Sequence, residues 1–221
     1  MTGIFITFEG PEGSGKTTQA KLLKDYLEKN GYQVLYTREP GGTSIGKKIR
    51  ALLLSPENRE MREKTELFLY AADRSQHVEE VIRPALLEGK VVLCDRFIDS
   101  TVAYQGYGRC LDMQTIVELN KQATGGLKPD LTILLDIDAG SGLGRALSIC
   151  KDGLEEGAGD RIEQEKEEFH QKVRNGFLRL TQKEPERVKI VDASLRVQEV
   201  ALIVRGLVNN LLVQRRFCDE N

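Results

Sequence analysis

The chain has 221 residues, 40% hydrophobic and 30% charged, a composition that suits one soluble α/β domain able to bury a core. Its 32 Lys and Arg face 34 Asp and Glu, so a net charge of −2 offers no global field for nucleic acid or an anionic membrane, and any anion must be caught locally. There is no leader-like start and no run of about 18 apolar residues, and the widely spaced Cys94, Cys110, Cys150 and Cys218 form no CxxC pair or Cys/His cluster; reduced thiols and a cytoplasmic setting are expected.

Residues 3–9 read as a short buried strand, and 17–30 as a helix with Ala20, Leu23 and Leu27 on one face, stopped by Gly31. A strand over 33–37, a loop over 38–43 and a helix over 44–54 follow. A longer helical pattern spans 64–87, and Pro84 within it should kink or restart the helix because proline lacks the N–H donor. KVVLC, 90–94, is nearly all apolar, as a strand covered on both faces must be. Asp112 is placed to cap a helix that runs to Thr124 and ends at Gly125 and Gly126, and LTILLDI, 131–137, is the clearest central strand. After a helix near 142–150, the glycine-rich, acidic stretch 151–160 reads as a mobile loop or lid. A helix over 161–182, a strand over 188–191, a helix over 196–213 and a frayed tail, QRRFCDEN, close the chain, with Cys218 a free thiol. Five alternations of strand and helix without internal repeats imply a single domain, 1–221, with a five-stranded parallel sheet and helices on both faces.

GPEGSGKT, between the first strand and first helix, meets the spacing G-x-x-x-x-G-K-[ST] with Gly10, Gly15, Lys16 and Thr17. Pro11, Glu12, Gly13 and Ser14 fill the loop and Thr18 follows it, so the ATP-binding set is expected over these nine residues. Such a loop turns successive N–H groups onto an anion and adds the positive end of a helix dipole. Lys16 would reach the β/γ phosphates and Thr17 would hold Mg²⁺. The bland alternative, a glycine-rich turn with a chance lysine, does not explain the strand-to-helix setting. A switch GTPase would carry N-K-x-D, and Asn120-Lys121-Gln122-Ala123 lacks the aspartate. The neutral charge balance gives a nucleic-acid ATPase no support, which leaves phosphate transfer to a small acceptor.

Arg38 and Arg96 follow strands, and Arg74 sits in a helix, in TREPGGT, CDRFIDST and YAADRSQH. Ligands of open parallel sheets collect at the carboxyl ends of strands, so Arg38 and Arg96 should meet the glycine loop across one crevice and bind a second phosphate. One arginine alone is commonly a surface ion-pair partner. Two at strand ends favour the crevice. Asp136 and Asp138 end a further strand and read as structural.

The segments FEGPEGSGKTTQ, TREPGGT, LYAADRSQH, DRFIDSTVAYQG, DLTILLDID, DRIEQE and VDAS, in this order over almost the whole chain, resemble the bacterial thymidylate kinases, a family of P-loop nucleoside monophosphate kinases. The resemblance implies a mobile lid over ATP, a homodimer, and transfer of the γ-phosphoryl of MgATP to dTMP, giving ADP and dTDP for dTTP biosynthesis. By the same resemblance Arg38 and Arg96 hold the acceptor phosphate, Tyr70 stacks on thymine and Arg74, one helical turn on, meets a base carbonyl. Ser100, Thr101, Tyr104 and Gln105 occupy the segment that contacts base and sugar, where a tyrosine helps reject a 2′-hydroxyl. Glu12 matches the acidic residue near the 3′-hydroxyl and the metal, Asp95 is expected to assist at Mg²⁺, and VDAS to skirt adenine. For Tyr70 the residues alone also allow a core aromatic, and for Glu12 a solvated loop carboxylate.

With Gly13 where some members carry a catalytic arginine, the lid, about 145–161, must supply the charge. It lacks the family's R-x-R-G and offers only Arg145, Lys151 and Arg161, and a lysine is not the equal of an arginine's planar fork. The alternatives are another kinase, for dUMP or a deoxynucleoside, and a P-loop module that senses nucleotide without turnover.

Overall fold

Strand β1 (Ile4–Glu9) lies at the centre of a parallel sheet with β2 (Val34–Arg38), β3 (Val91–Asp95), β4 (Leu131–Asp136) and β5 (Val188–Asp192), in the order β2-β3-β1-β4-β5. The computed structural model describes residues 3–151 and 160–219. Register is tight: Ile4 pairs with Val91 and Phe8 with Asp95, while Ile6 pairs with Leu131 and Glu9 with Leu134. Every crossover places a helix on a sheet face, as parallel pairing requires.

Alternation along the strands divides the core. Ile6, Phe8, Leu93, Ile133 and Leu135 face α1 (Lys16–Lys29) and α9 (Val197–Asp219), where they bury Leu23, Leu27, Val204 and Val208. On the opposite face Phe5, Val92 and Cys94 pack on Val78 and Ile82, and Leu134 and Val188 pack on Phe169, Val173 and Phe177 of α8 (Glu167–Lys183). Each of these residues is almost wholly buried, and a large aliphatic side chain so placed contributes roughly 1.5–3 kcal/mol.

α2 (Ser44–Leu54) starts on Thr43, whose hydroxyl accepts from the Gly46 N–H, and α6 (Met113–Thr124) starts on Asp112, which accepts from the Thr115 N–H. The long helix over 64–87 is three pieces: α3 (Glu63–His77), a π-helical turn (Val78–Ile82) and α4 (Arg83–Leu87) with Pro84 in its first turn. The helix restarts where proline's missing donor costs nothing.

Four expectations need correction. α5 (Ile98–Thr101) and a π-helix (Val102–Gly108) were not foreseen; the segment's glycines and polar residues hide the helical period. The helix expected from 161 begins at Glu167, because Asp160 Oδ1 takes the N–H groups of Ile162 and Glu163 and winds 160–166 into turns. The tail is not frayed through 219: α9 continues to Asp219, and Arg215 pairs with Asp130. α7 (Ala139–Lys151) also starts before 142, where the Asp138 carboxylate accepts from the Ser141 N–H. Of the expected lid, 152–159 lies outside the described residues, as do the Lys151 and Cys218 side chains.

Candidate active site

The carboxyl ends of β1, β2 and β3 open into a crevice of about 540 Å³. Its floor is the loop between β1 and α1. Gly10 has φ 140°, and a Cβ there would stand 2.3 Å from the Leu135 carbonyl oxygen. Gly15, at φ 85°, is the N-cap of α1. Only glycine meets both demands cheaply. The loop therefore closes tightly and leaves the first N–H groups of α1 facing the crevice, an anion site by dipole and by donor.

Lys16 curls back over this loop, its Nζ donating to Gly10 O at 3.1 Å, Pro11 O at 2.7 Å and Ser14 Oγ at 3.2 Å. Burial and the neighbouring Arg96 bring its pKa down from 10.5 to about 8, against the pull of Glu12 and Asp95. Thr17 Oγ1 donates to Asp95 Oδ2 at 2.6 Å, which sets a hydroxyl and a carboxylate side by side at the crevice wall.

Arg96 adopts φ 70°, unusual for a residue with a side chain. The turn is held because the Arg96 N–H donates to Phe8 O at 2.9 Å and the Phe97 N–H to the buried Glu9 carboxylate at 2.8 Å. Ser100 Oγ stands 2.5 Å from Glu9 Oε2, a bond in which either oxygen can hold the proton. Burial and Asp99 push the Glu9 carboxyl up from 4.5 to about 8. The Arg96 guanidinium donates to Gly10 O, Ser100 Oγ and, at 2.7 Å, Glu12 Oε1, while it lies over the Tyr104 ring. The Tyr104 hydroxyl donates to the same Glu12 oxygen at 2.8 Å. Burial alone would raise the Glu12 pKa, but Arg96, Lys16 and Tyr104 outweigh it and hold the carboxyl at about 2.

Arg74 is buried with four bonds: to Glu39 at 2.8 Å, Thr101 at 2.8 Å, Asn120 at 2.7 Å and Phe97 O at 2.9 Å. A guanidinium has five N–H donors, so one, on Nη2, remains for the crevice that Arg74 lines. Behind it Glu39 also binds His77, which binds Thr37, and Asp73 holds the Gly41 N–H.

The crevice thus gathers Glu12, Gly13, Gly15, Lys16, Thr17 and Thr18 from the loop and first turn of α1 with Arg38, Tyr70, Arg74 and Arg96, of which Arg96 touches the loop directly through Glu12 and Gly10 O. Asp95, Ser100, Thr101, Tyr104 and Gln105 also line it. Gly10, Pro11 and Ser14 shape the loop without lining the crevice; their oxygens are turned to Lys16. Two lid candidates stand elsewhere. Arg145 donates to Ala193 O at 3.0 Å, and Arg161 is buried, bound to Leu53 O at 2.9 Å and Glu66 Oε2 at 2.6 Å. Asp136 forms a two-bond pair with Arg174, and Asp138 caps α7; both serve structure.

Lining residues that sequence reasoning missed are Lys21, Glu39, Pro40, Arg50 and Leu54, with Asp160, Ile162 and Glu163 from the turns over 160–166. Lys21 lies one helical turn after Thr17, a spacing that could have revealed it. Arg50 and Asp160 carried no local signal, since only the packing of α2 and the turns over 160–166 against the crevice brings them in.

The thymidylate kinase family profile matches residues 8–202. A thymidylate kinase of Geotalea daltonii is 56% identical over 207 residues, covering 93% of this chain and 96% of the relative. One of Desulfosudis oleivorans is 54% identical over 198 residues, covering 90% and 92%. A solved structure, the thymidylate kinase from Ehrlichia chaffeensis at 2.15 Å resolution, superimposes with a TM-score of 0.74 at 35% identity, covering 95% of this chain and 99% of that one.

Proposed function

The chain belongs to the thymidylate kinase family and phosphorylates dTMP to dTDP with ATP; on that premise we propose how its residues divide the work. The observation that carries the reading is a single crevice lined both by a phosphate-binding loop and by Arg38, Tyr70, Arg74 and Arg96. Residues 10–18 cradle the ATP phosphates, with Lys16 released from its loop carbonyls to the β/γ oxygens. Arg38 and Arg96 hold the dTMP phosphate, Tyr70 stacks on thymine and the spare Arg74 N–H meets a base carbonyl. Glu12, fixed in its charged form by Arg96 and Tyr104, stands between acceptor and donor.

One dTMP phosphate oxygen then attacks the γ-phosphorus in line, the bond to the β-phosphate oxygen breaks, and ADP leaves. Lys16 and Arg96 stabilise the charge on the transferring group, and the crevice supplies alignment. Thr17 and Asp95 suit Mg²⁺, a hard cation usually held by few protein oxygens plus substrate phosphates. Consistent with that, the described residues contain no cluster of three ligating side chains. Bound there, the ion would neutralise phosphate charge.

The lid is proposed to exclude water and to bring one cation from Arg145, Lys151 or Arg161. Alanine at each tests this: an essential cation costs about 10³-fold in turnover, and three changes each within about threefold would remove the lid charge from the mechanism. A homodimer is proposed through the side formed by α2, α3 and α6, where Ile45, Leu52, Phe68 and Val117 are half exposed or more. No helix among the described residues is long and apolar enough to cross a membrane, and Cys94 and Cys110 are free thiols, which supports a cytoplasmic setting. The acceptor assay tests the whole reading: with MgATP, dTMP gives dTDP far faster than dUMP, dCMP, dAMP or thymidine. ATP binding without dTDP formation would contradict it.

A further inference from the structure

Glu66 lies in α3, one turn before Tyr70 and two before Arg74, on the stripe that faces the crevice, yet it does not line the crevice itself. It is 1% exposed and carries three partners. Gln105 Nε2 donates to Oε1 at 2.7 Å, Arg109 Nη2 donates to Oε2 at 3.1 Å and Arg161 Nη2 to Oε2 at 2.6 Å. Although burial alone would raise its pKa, the two guanidiniums hold it below the ordinary glutamate value, so it is ionised and can only accept.

An acceptor-only partner settles the polarity of the neighbouring amide. Gln105 must turn its NH₂ to Glu66, so its carbonyl oxygen is the amide atom left for the crevice that Gln105 lines. Among the described residues no hydrogen bond reaches that oxygen. We propose that Glu66 is a specificity-determining positioning residue, fixing Gln105 as a hydrogen-bond acceptor toward the base and so selecting bases whose ring nitrogen carries a proton. This rests on the reading that the base of the acceptor nucleotide lies against Tyr70 and Arg74.

The chemistry is complementary on both atoms. A thymine or uracil edge offers a ring N–H to Gln105 Oε1 and a carbonyl to the spare Arg74 N–H. Cytosine inverts both, placing a bare nitrogen against the Gln105 oxygen and an amino group against the Arg74 donor. A site built on fixed, buried polar groups rejects such an inverted edge strongly, because each group is left facing its own kind. Without Glu66 the Gln105 amide is free to rotate and accept either edge.

Three proteins test this with dTMP and dCMP as acceptors: wild type, Glu66→Gln and Gln105→Met. Wild-type turnover of dTMP is the control; without it the functional reading fails and not the Glu66 relay alone. Both variants are expected to lose about tenfold of the preference for dTMP over dCMP, carried by KM more than kcat. Gln105→Met with full preference would mean the base lies elsewhere. Folded Glu66→Gln with full preference, beside an affected Gln105→Met, overturns the relay. Should Glu66→Gln fail to fold, as judged by circular dichroism and ATP binding, NMR on wild type with bound dTMP decides. Gln105 side-chain NH₂ protons with slow exchange and NOEs to the Glu66 side chain support the proposal, and NH₂ protons that exchange freely and show no NOE to Glu66 overturn it.

Discussion

Lys16 shows at residue scale how a phosphate site is tuned before its ligand arrives. Its three contacts to the loop are to neutral oxygens, and burial with Arg96 nearby brings its pKa down to about 8. ATP binds the charged form. Below pH 8 this group is already protonated and adds no pH dependence; above it, the free protein must take up a proton to bind. The affinity for MgATP is therefore expected to fall by up to about tenfold per pH unit from 8 upward. Titration calorimetry between pH 7.5 and 9.5 reads this, with proton uptake seen in buffers of different ionisation enthalpy. Lys16→Arg keeps its charge throughout, so the slope should vanish in it. A wild type whose affinity is flat to pH 9.5 would contradict the assignment.

At the scale of elements, the turns that join the sheet to its helices do most of the positioning. The Arg96 turn is held in the left-handed region by Phe8 O and Glu9, and the turns over 160–166 by Asp160 and Arg161. Arg161 ties those turns to Leu53 O and Glu66, so Arg161→Met is expected to cost about 1–3 kcal/mol in urea unfolding, with Glu66 still paired to Arg109. Arg145→Ala, at an exposed position, should stay within about 0.5 kcal/mol. Equal stability in both variants would refute the anchoring role. The same elements explain what the chain reveals when read alone. KVVLC and LTILLDI announce buried parallel strands, and G-x-x-x-x-G-K-T announces its loop, because each signal is local. Helix α5 and the π-helix after it bring Ser100, Tyr104 and Gln105 to the crevice without an apolar period, and Glu66 looks like any surface glutamate until α3 is packed against Arg109 and Arg161. Those placements depend on tertiary contacts that no short spacing encodes.

For the whole molecule, two carboxyls, the buried Glu9 and the partly exposed Glu12, pull stability in opposite directions with pH. Glu12, lowered to about 2, contributes stability that is full above about 4.5 and is lost as the pH falls toward 2. Glu9, raised to about 8, contributes stability that is full below about 4.5 and is lost as the pH rises toward 8. Glu9→Gln should flatten the fall in urea-unfolding free energy between pH 5 and 8, and an unchanged slope would refute this. Assembly belongs to this scale too. Phe68 and Val117 are 56% and 57% exposed, so Phe68→Glu leaves the core intact, yet under the proposed assembly sedimentation velocity should find it monomeric and the wild type dimeric. A dimeric variant would move the interface elsewhere. The central claim, that one crevice sets two phosphates end to end, is tested most directly by a crystal structure with ADP and dTMP bound. The account predicts the ADP β-phosphate inside residues 10–17 beside Lys16, with the dTMP phosphate facing it from Arg38 and Arg96 and thymine on Tyr70. A dTMP phosphate lodged away from those arginines and from Lys16 would contradict it.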